Sequence, residues 1–281
     1  MPELPEVEIV KRGLEKAIDG CVLTNIDQRR PDLRIPFPDN LESRVRDKKV
    51  NSLERRGKYI KINLSDDQVL VIHLGMSGRV LIIPDDDNYK PEKHDHLILD
   101  FNNGCSIVYN DARRFGMVML IDSSEIETHP SFSKMGPEPL GNEFNGDVLA
   151  QRLSGKKVPI KNALLDQRIV AGVGNIYACE ALFMYAIDPQ RPSSSLNNKE
   201  CNDLSCAIRE VLELAIDAGG STLKDYRHTD GELGYFQHSF AVYDREGVAC
   251  RGCTCDVSSS GGIKKIVQGG RSTYFCPNIQ K

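Results

Sequence analysis

The spacing of the apolar residues changes twice along the chain, and that change limits the possible folds more than any other feature. Over residues 5–19, Val7, Val10, Leu14, Ala17 and Ile18 recur at helical spacing, and Gly20 stands where such a helix would stop. From about 21 to 122 the pattern shifts to short β-rich runs: Tyr59–Asn63, Val69–His73, Arg79–Ile83, Leu97–Phe101, Ser106–Tyr109 and Met117–Ile121. Turn residues such as Ser65-Asp66-Asp67 and Asn102-Asn103-Gly104 separate them. Runs of this kind pack as an antiparallel sandwich or barrel. Residues 123–144, with Pro130, Pro137, Pro139 and two glycines, read as a linker. The helical period then returns over 145–153, over 159–168 opened by Pro159, over 175–186, and over about 199–218 closed by Gly219-Gly220. The glycine-bearing turn Val170–Asn175 joins two of these helices as a helix-turn-helix-like unit, with Asn175 placed to cap the second. A β segment with four cysteines occupies 240–281. The expected class is α+β, with domains at 1–122, 145–239 and 240–281.

Composition narrows the setting. In 281 residues, 27% charged, no apolar run approaches the roughly 18–20 residues that span a bilayer, and no basic-then-apolar leader precedes the first helix. Neither a membrane protein nor a secreted one is expected. Nine cysteines, an odd number and mostly scattered, fit a reducing cytosol better than a disulfide framework. The net charge of −4 argues at first against a polyanionic partner. The distribution tells otherwise: residues 44–61 hold eight cations against two acids, and residues 241–281 hold six against three. Such segregation permits a polyanion-binding face, although solvated charge of no function reads equally well.

Several short segments carry chemistry. Pro2-Glu3-Leu4-Pro5-Glu6 reads as a helix start, since proline and acids suit a first turn. Removal of the initiator methionine would also expose a secondary amine there. An α-amine has a reference pKa of about 7.7–8.0, and the positive end of a helix favours its free base. Such an amine can attack an electrophilic carbon and form an iminium ion, with Glu3 relaying protons. Lys58 follows a basic turn at a strand start. His73-Leu74-Gly75-Met76-Ser77-Gly78 and Asp111-Ala112-Arg113-Arg114-Phe115-Gly116 are turns that either reverse the chain or let backbone approach a ligand. The helix start behind Gly172 and Gly174 suits an anion, and Lys157 and Lys161 precede it. In the tail, Cys250, Cys253 and Cys276 suit zinc, but the second knuckle is incomplete: Ile279 stands where a fourth ligand belongs, and Cys255 is awkwardly close to Cys253.

Together these segments resemble the formamidopyrimidine-DNA glycosylase family of bacterial base-excision repair enzymes. The likeness runs in family order through Pro2–Glu8, Gly57-Lys58-Tyr59, His73–Gly78, Lys93–His96, Asp111–Gly116, Gly172–Tyr177, Gly220-Ser221-Thr222 and Gln268–Thr273. The resemblance implies an N-terminal β-sandwich, a C-terminal helix-two-turn-helix domain and a β-hairpin zinc-finger-like module, with DNA in the cleft between domains. It implies that Pro2 attacks C1′ of an oxidised purine nucleotide and that Glu3 is its acid/base partner. Lys58 and Arg271 correspond to the proton donors of β- and δ-elimination. His73, His94, Arg113, Arg114, Lys157, Lys161 and Asn175 match DNA-contacting positions, and Met76, Arg113 and Phe115 match an intercalating wedge. Gly220, Ser221, Thr222 and Tyr226 belong to a loop that closes over the flipped base. One zinc ion on Cys250, Cys253 and Cys276, a monomer, and a bacterial cytoplasmic location complete the expectation.

The resemblance leaves two competitors. An endonuclease VIII-type enzyme uses the same terminal proline on oxidised pyrimidines, but Leu4 and the Met76/Arg113/Phe115 wedge favour the purine branch. A non-catalytic DNA-binding protein is disfavoured by the intact Pro2, Glu3 and Lys58.

Overall fold

The amino-terminal helix forms because its apolar residues fall on one stripe and its first turn satisfies its own donors. In the computed structural model, which describes residues 2–85, 89–221, 234–254 and 256–281, α1 spans Leu4–Ile18. It buries Val7, Val10, Leu14 and Ile18. The strands that follow are β1 (Leu23–Gln28), β2 (Val50–Arg56), β3 (Tyr59–Leu64), β4 (Gln68–His73), β5 (Arg79–Ile83), β6 (Asp95–Phe101), β7 (Ser106–Asn110) and β8 (Met117–Asp122), with a short helix α2 (Leu41–Val45) between β1 and β2. They form two antiparallel four-stranded sheets, ordered β1-β6-β7-β5 and β2-β3-β4-β8. One core joins α1 to both sheets through Leu23, Ile60, Ile62, Leu70, Leu97, Leu99 and Ile107. The expected sandwich is therefore present. β1, α2 and β2 were not marked by the sequence pattern. β1 buries only every third residue and β2 carries Asn51, Glu54, Arg55 and Arg56, so neither shows clean alternation.

The later helices are α3 (Gly146–Leu153), α4 (Ile160–Leu164), α5 (Asn175–Met184) and α6 (Asn198–Asp217). A four-residue α7 (Val257–Ser260) precedes a hairpin of β9 (Lys264–Gln268) and β10 (Arg271–Phe275). Two compact units result: Met1–Ser133 with Ala218–Tyr235, and Lys134–Asp217 with Phe236–Lys281. The segment expected to link domains, 123–144, is divided between them. The expected helix 159–168 stops at Leu164, because Gln167 turns inward: its amide donates to the carbonyls of Leu165 and Val173 and accepts from the N–H of Gly172.

In the second unit, α5 is apolar all round, burying Ile176 to Leu182, and it anchors the cysteine-bearing module. Glu180, on α5 and 5% exposed, accepts the backbone N–H groups of Ala241, Val242 and Tyr243 at 2.7, 3.0 and 2.7 Å. At the far end of the module, buried Gln280 accepts from Cys276 N–H and donates to the Ile187 carbonyl, each at 2.8 Å. The tip between β9 and β10 is the two-residue loop Gly269-Gly270, with φ of +56° and +74°, the left-handed pair that a tight hairpin demands. Replacing Glu180 by Gln puts an NH₂ group where a carboxylate oxygen accepts an N–H. We expect a loss of about 1–3 kcal/mol in thermal or urea unfolding, since a buried donor is then left unpaired.

Candidate active site and nucleic-acid interface

A reciprocal pair of hydrogen bonds holds the first residues at the start of α1. The Glu3 carboxylate accepts the Glu6 N–H, and Glu6 Oε2 accepts the Glu3 N–H at 2.8 Å. This satisfies two of the donors that a helix start leaves open. Both side chains are 2% exposed, and Pro2 is buried beside them. The second oxygen of Glu6 accepts the N–H and the hydroxyl of Ser221, each at 2.8 Å. One carboxylate thus joins the arm that carries Pro2 to the Gly220-Ser221 segment. Glu6 was not singled out from sequence, although Glu3-x-x-Glu6 has the spacing of a capping box. Thr222 and Tyr226, expected on the same loop, lie outside the described residues.

Lys58 stands at the β2–β3 turn. Arg55 reaches from β2 to donate to Glu8 Oε2 at 2.9 Å and to the Gly57 carbonyl at 3.2 Å, so the turn bearing Lys58 is tied to α1. Burial pushes the Glu8 pKa up, but Arg55, Arg12 and Lys11 outweigh it and hold the carboxyl below its ordinary value. Across the sheet Tyr59 pairs with His73, their rings 4.7 Å apart. Burial, and then the charges of Lys58 and Arg34, lower the His73 pKa to about 4. His73 Nδ1 accepts the Gly75 N–H at 3.1 Å, which leaves the ring proton on Nε2. As a phosphate contact His73 therefore offers a neutral N–H and no charge.

The residues expected to form a wedge sit on two turns. Met76, between β4 and β5, is 37% exposed, and Phe115, between β7 and β8, is 44% exposed. The Arg113 guanidinium lies 5.0 Å from the Phe115 ring centroid, a cation–π contact that orients both. Arg114 is exposed with φ of +58°, and His94 is half-buried with its ring 6.3 Å from that of His96.

Within the second unit Lys157 is exposed, whereas Lys161 is fully buried, so the fold does not offer its ammonium as the surface phosphate contact expected from sequence. Asn175 is also not a cap. Gly174 occupies the cap position of α5, and the Asn175 amide donates instead to the Ser272 carbonyl on β10 at 2.9 Å. It thereby fixes the strand that begins with exposed Arg271, directly after the glycine tip. The basic run 44–61 is not an open cationic face. Arg46 pairs with Glu42, Lys48 with Asp66, Lys61 with Glu54 at 2.6 Å, and Arg55 with Glu8 at 2.9 Å.

The sulfurs of Cys250, Cys253 and Cys276 lie within 4.8 Å of one another, with Cys253 and Cys276 at 3.8 Å. A tetrahedral zinc with Zn–S of about 2.3 Å requires sulfurs about 3.8 Å apart, so three corners of a site fit. Ile279 packs against the same cluster and supplies no donor. Cys253 is disulfide-bonded, a departure from the fully reduced set expected, and the trio is available to a metal once that bond is reduced. Cys255 lies outside the described residues.

His73 generates a pH dependence with a definite sign. Unfolded imidazole takes up its proton near 6.5 and the folded group only near 4, so the folded state binds fewer protons between these values. Its contribution is full above the upper value and is lost as pH falls through the window, by up to roughly 3 kcal/mol. The unfolding free energy of the wild type should therefore fall more steeply from pH 7 to 4.5 than that of His73→Gln.

The comparisons with known proteins agree with this geometry. Residues 1–118 match the Formamidopyrimidine-DNA glycosylase N-terminal domain, and residues 135–227 match the Formamidopyrimidine-DNA glycosylase H2TH domain. The formamidopyrimidine-DNA glycosylase of Rhodospirillum rubrum is 50% identical over 281 residues, and that of Cereibacter sphaeroides 51% identical over 287, each covering all of both chains. Among solved structures, MutM (Fpg) from Thermus thermophilus superposes with a TM-score of 0.87 at 37% identity, covering 99% of this chain and 98% of that one. A Lactococcus lactis Fpg mutant in complex with Fapy-dG containing DNA gives 0.89 at 34% identity, with both chains fully covered. The chain belongs to the formamidopyrimidine-DNA glycosylase family.

Proposed function

We propose that this protein excises oxidised purines, 8-oxoguanine and formamidopyrimidines, from duplex DNA through a Schiff base on Pro2, then cleaves the abasic strand by β- and δ-elimination. The observation that carries the reading is the amino-terminal arm: Pro2 and Glu3 buried at a helix start and fixed there by Glu6. The helix dipole at that point favours the uncharged amine. The Pro2 nitrogen lone pair attacks C1′, the bond to the base breaks with its electrons leaving on the base, and Glu3 manages the accompanying proton; the nitrogen then loses its own proton, and its lone pair forms the C=N bond as C1′–O4′ breaks, O4′ leaving as a hydroxyl. The resulting iminium draws electrons from C2′. Loss of the C2′ proton then expels the 3′ phosphate, with Lys58 as proton donor, and a second elimination expels the 5′ phosphate, with Arg271 in that role.

The base must leave the stack first, at a cost of a few kcal/mol. Met76 and Phe115 are apolar groups on turn tips that fill the vacated space, and the Arg113 guanidinium has donors for the orphaned cytosine. His94, Arg114, Lys157 and His73 are the phosphate-facing set; His73 serves as a neutral donor. The relatives whose structures are solved with DNA include Lactococcus lactis Fpg bound to abasic-site containing DNA, which supports duplex DNA as the partner. Among the described residues no helix is long and apolar enough to cross a membrane, and the bacterial relatives support a cytoplasmic location. We read the protein as a monomer.

One zinc on Cys250, Cys253 and Cys276 fits this scheme as a structural crosslink, with the fourth position left to solvent or to a donor beyond the described residues. Bound there, it would brace the hairpin that presents Arg271, and no chemical step would pass through it.

Two experiments test the reading. Borohydride reduction of the protein with an 8-oxoguanine:cytosine duplex should trap a covalent adduct that Pro2→Gly abolishes. Stronger trapping on a dihydrouracil duplex would instead identify the pyrimidine-specific sister activity, and no adduct from wild type would leave a DNA-binding protein. Second, Cys276→Ser should lower metal content measured under reducing conditions and shift products from δ- toward β-elimination. An unchanged product ratio at unchanged DNA affinity would remove zinc from the scheme.

A further inference from the structure

Asp111 is fully buried at the base of the turn that carries Arg113 and Phe115. Its carboxylate is a hub. Oδ1 accepts the Ser77 hydroxyl at 2.6 Å and the Arg113 N–H at 3.3 Å, and Oδ2 accepts the Gly116 N–H at 2.8 Å. Ser77 Oγ in turn accepts the Arg113 N–H at 3.1 Å. Ser77 is the residue after Met76. The carboxylate therefore spans the two turns that carry the exposed wedge side chains, although these turns are 34 residues apart in the chain.

The backbone of Asp111 extends the hub. Its N–H donates to the His94 carbonyl at 3.0 Å, its carbonyl accepts the Arg114 N–H at 3.3 Å, and His96 Nε2 lies 2.8 Å from the same carbonyl. The two turns also meet backbone to backbone. A Cβ on Gly75, which has φ of +63°, would collide with the Phe115 carbonyl carbon and the Gly116 nitrogen, and a Cβ on Gly116 would collide with the Tyr109 hydroxyl. That close approach leaves the turns little freedom to slide, and the buried carboxylate fixes their register.

We propose that Asp111 is the positioning residue of the wedge: a buried carboxylate that holds Met76, Arg113 and Phe115 as one rigid insert, needed to displace a base from the stack and not for the bond-breaking steps at Pro2. The proposal rests on the wedge reading given above. A buried charge-assisted network is rigid when every member is satisfied, and it fails as a unit when an acceptor becomes a donor. Asp111→Asn makes that change without altering shape. Its NH₂ must face either the Gly116 N–H or the Ser77 and Arg113 donors.

The test uses the full-length protein and three substrates. On a duplex with 8-oxoguanine opposite cytosine, Asp111→Asn should lower single-turnover excision at least tenfold. On a single-stranded oligonucleotide with a preformed abasic site, where no stack is opened, strand cleavage should stay within about twofold of wild type. On a lesion duplex with 2-aminopurine beside the lesion, the fluorescence rise that reports unstacking should slow in parallel with excision. The coupling is read from a double-mutant cycle: in a Phe115→Ala background, the Asp111→Asn effect should shrink to less than threefold. Ser77→Ala, which removes one arm of the network and leaves the carboxylate, should give a smaller loss of the same kind and serves if Asp111→Asn folds poorly. Equal losses on single-stranded and duplex substrates, or effects of Asp111→Asn and Phe115→Ala that multiply, would overturn the assignment. Inactivity of wild type on the lesion duplex would overturn the functional reading itself, so the two failures are told apart.

Discussion

The Glu6 carboxylate is the constraint on which the chemical end of the molecule depends. A buried carboxylate is costly unless its oxygens are hydrogen-bonded, and Glu6 meets that demand by taking donors from neighbouring Glu3 and from Ser221, 215 residues away. The first helix therefore cannot fray without releasing Ser221, and Ser221 cannot move away without exposing unpaired acceptors at the helix start. The proposed nucleophile sits on the least secure part of any helix, its first turn, and here that turn is made rigid by the group it helps to bury.

A second carboxylate, Asp111, does the same for the turns after β4 and β7, and Glu180 for the module behind α5. The three sites share one device: an acid with almost no exposure, surrounded by backbone N–H groups from chain segments that have no regular structure of their own. Loops ordinarily carry function at the expense of precision. Here each of these loops is tied through its main chain, in two cases with a serine hydroxyl as well, so the backbone that carries its exposed side chains is fixed.

Much of this was legible in the sequence, and the limits are physical. The strand Tyr59–Leu64 could be read because one face is buried and alternation survives, and Gln68–His73 and Ser106–Asn110 because they are short, nearly continuous buried runs bounded by turn residues. Strand β2 could not, since Arg55 and Arg56 sit where a solvent-facing strand and a loop look alike. The candidate reactive residues Pro2, Glu3 and Lys58 stand out by their motifs; Glu6 shows in the sequence only through its capping-box spacing to Glu3, and the long-range partners of Glu6 and Asp111, 215 and 34 residues away, leave no local trace. Asn175 was located correctly and given the wrong partner: capping is a local inference, and its bond to Ser272 spans 97 residues. Lys161 was read as a surface cation because nothing in a one-dimensional pattern marks the burial of a lysine.

The pairing of basic side chains has a consequence for ionic strength. Of the 36 lysines and arginines, four of the eight in the 44–61 run, Arg46, Lys48, Arg55 and Lys61, pair with acids of their own unit. Such cations displace few condensed counterions from a duplex. The slope of log affinity against log salt counts only the groups that reach phosphate, about 0.9 per contact, and so it will be far shallower than the cation content suggests.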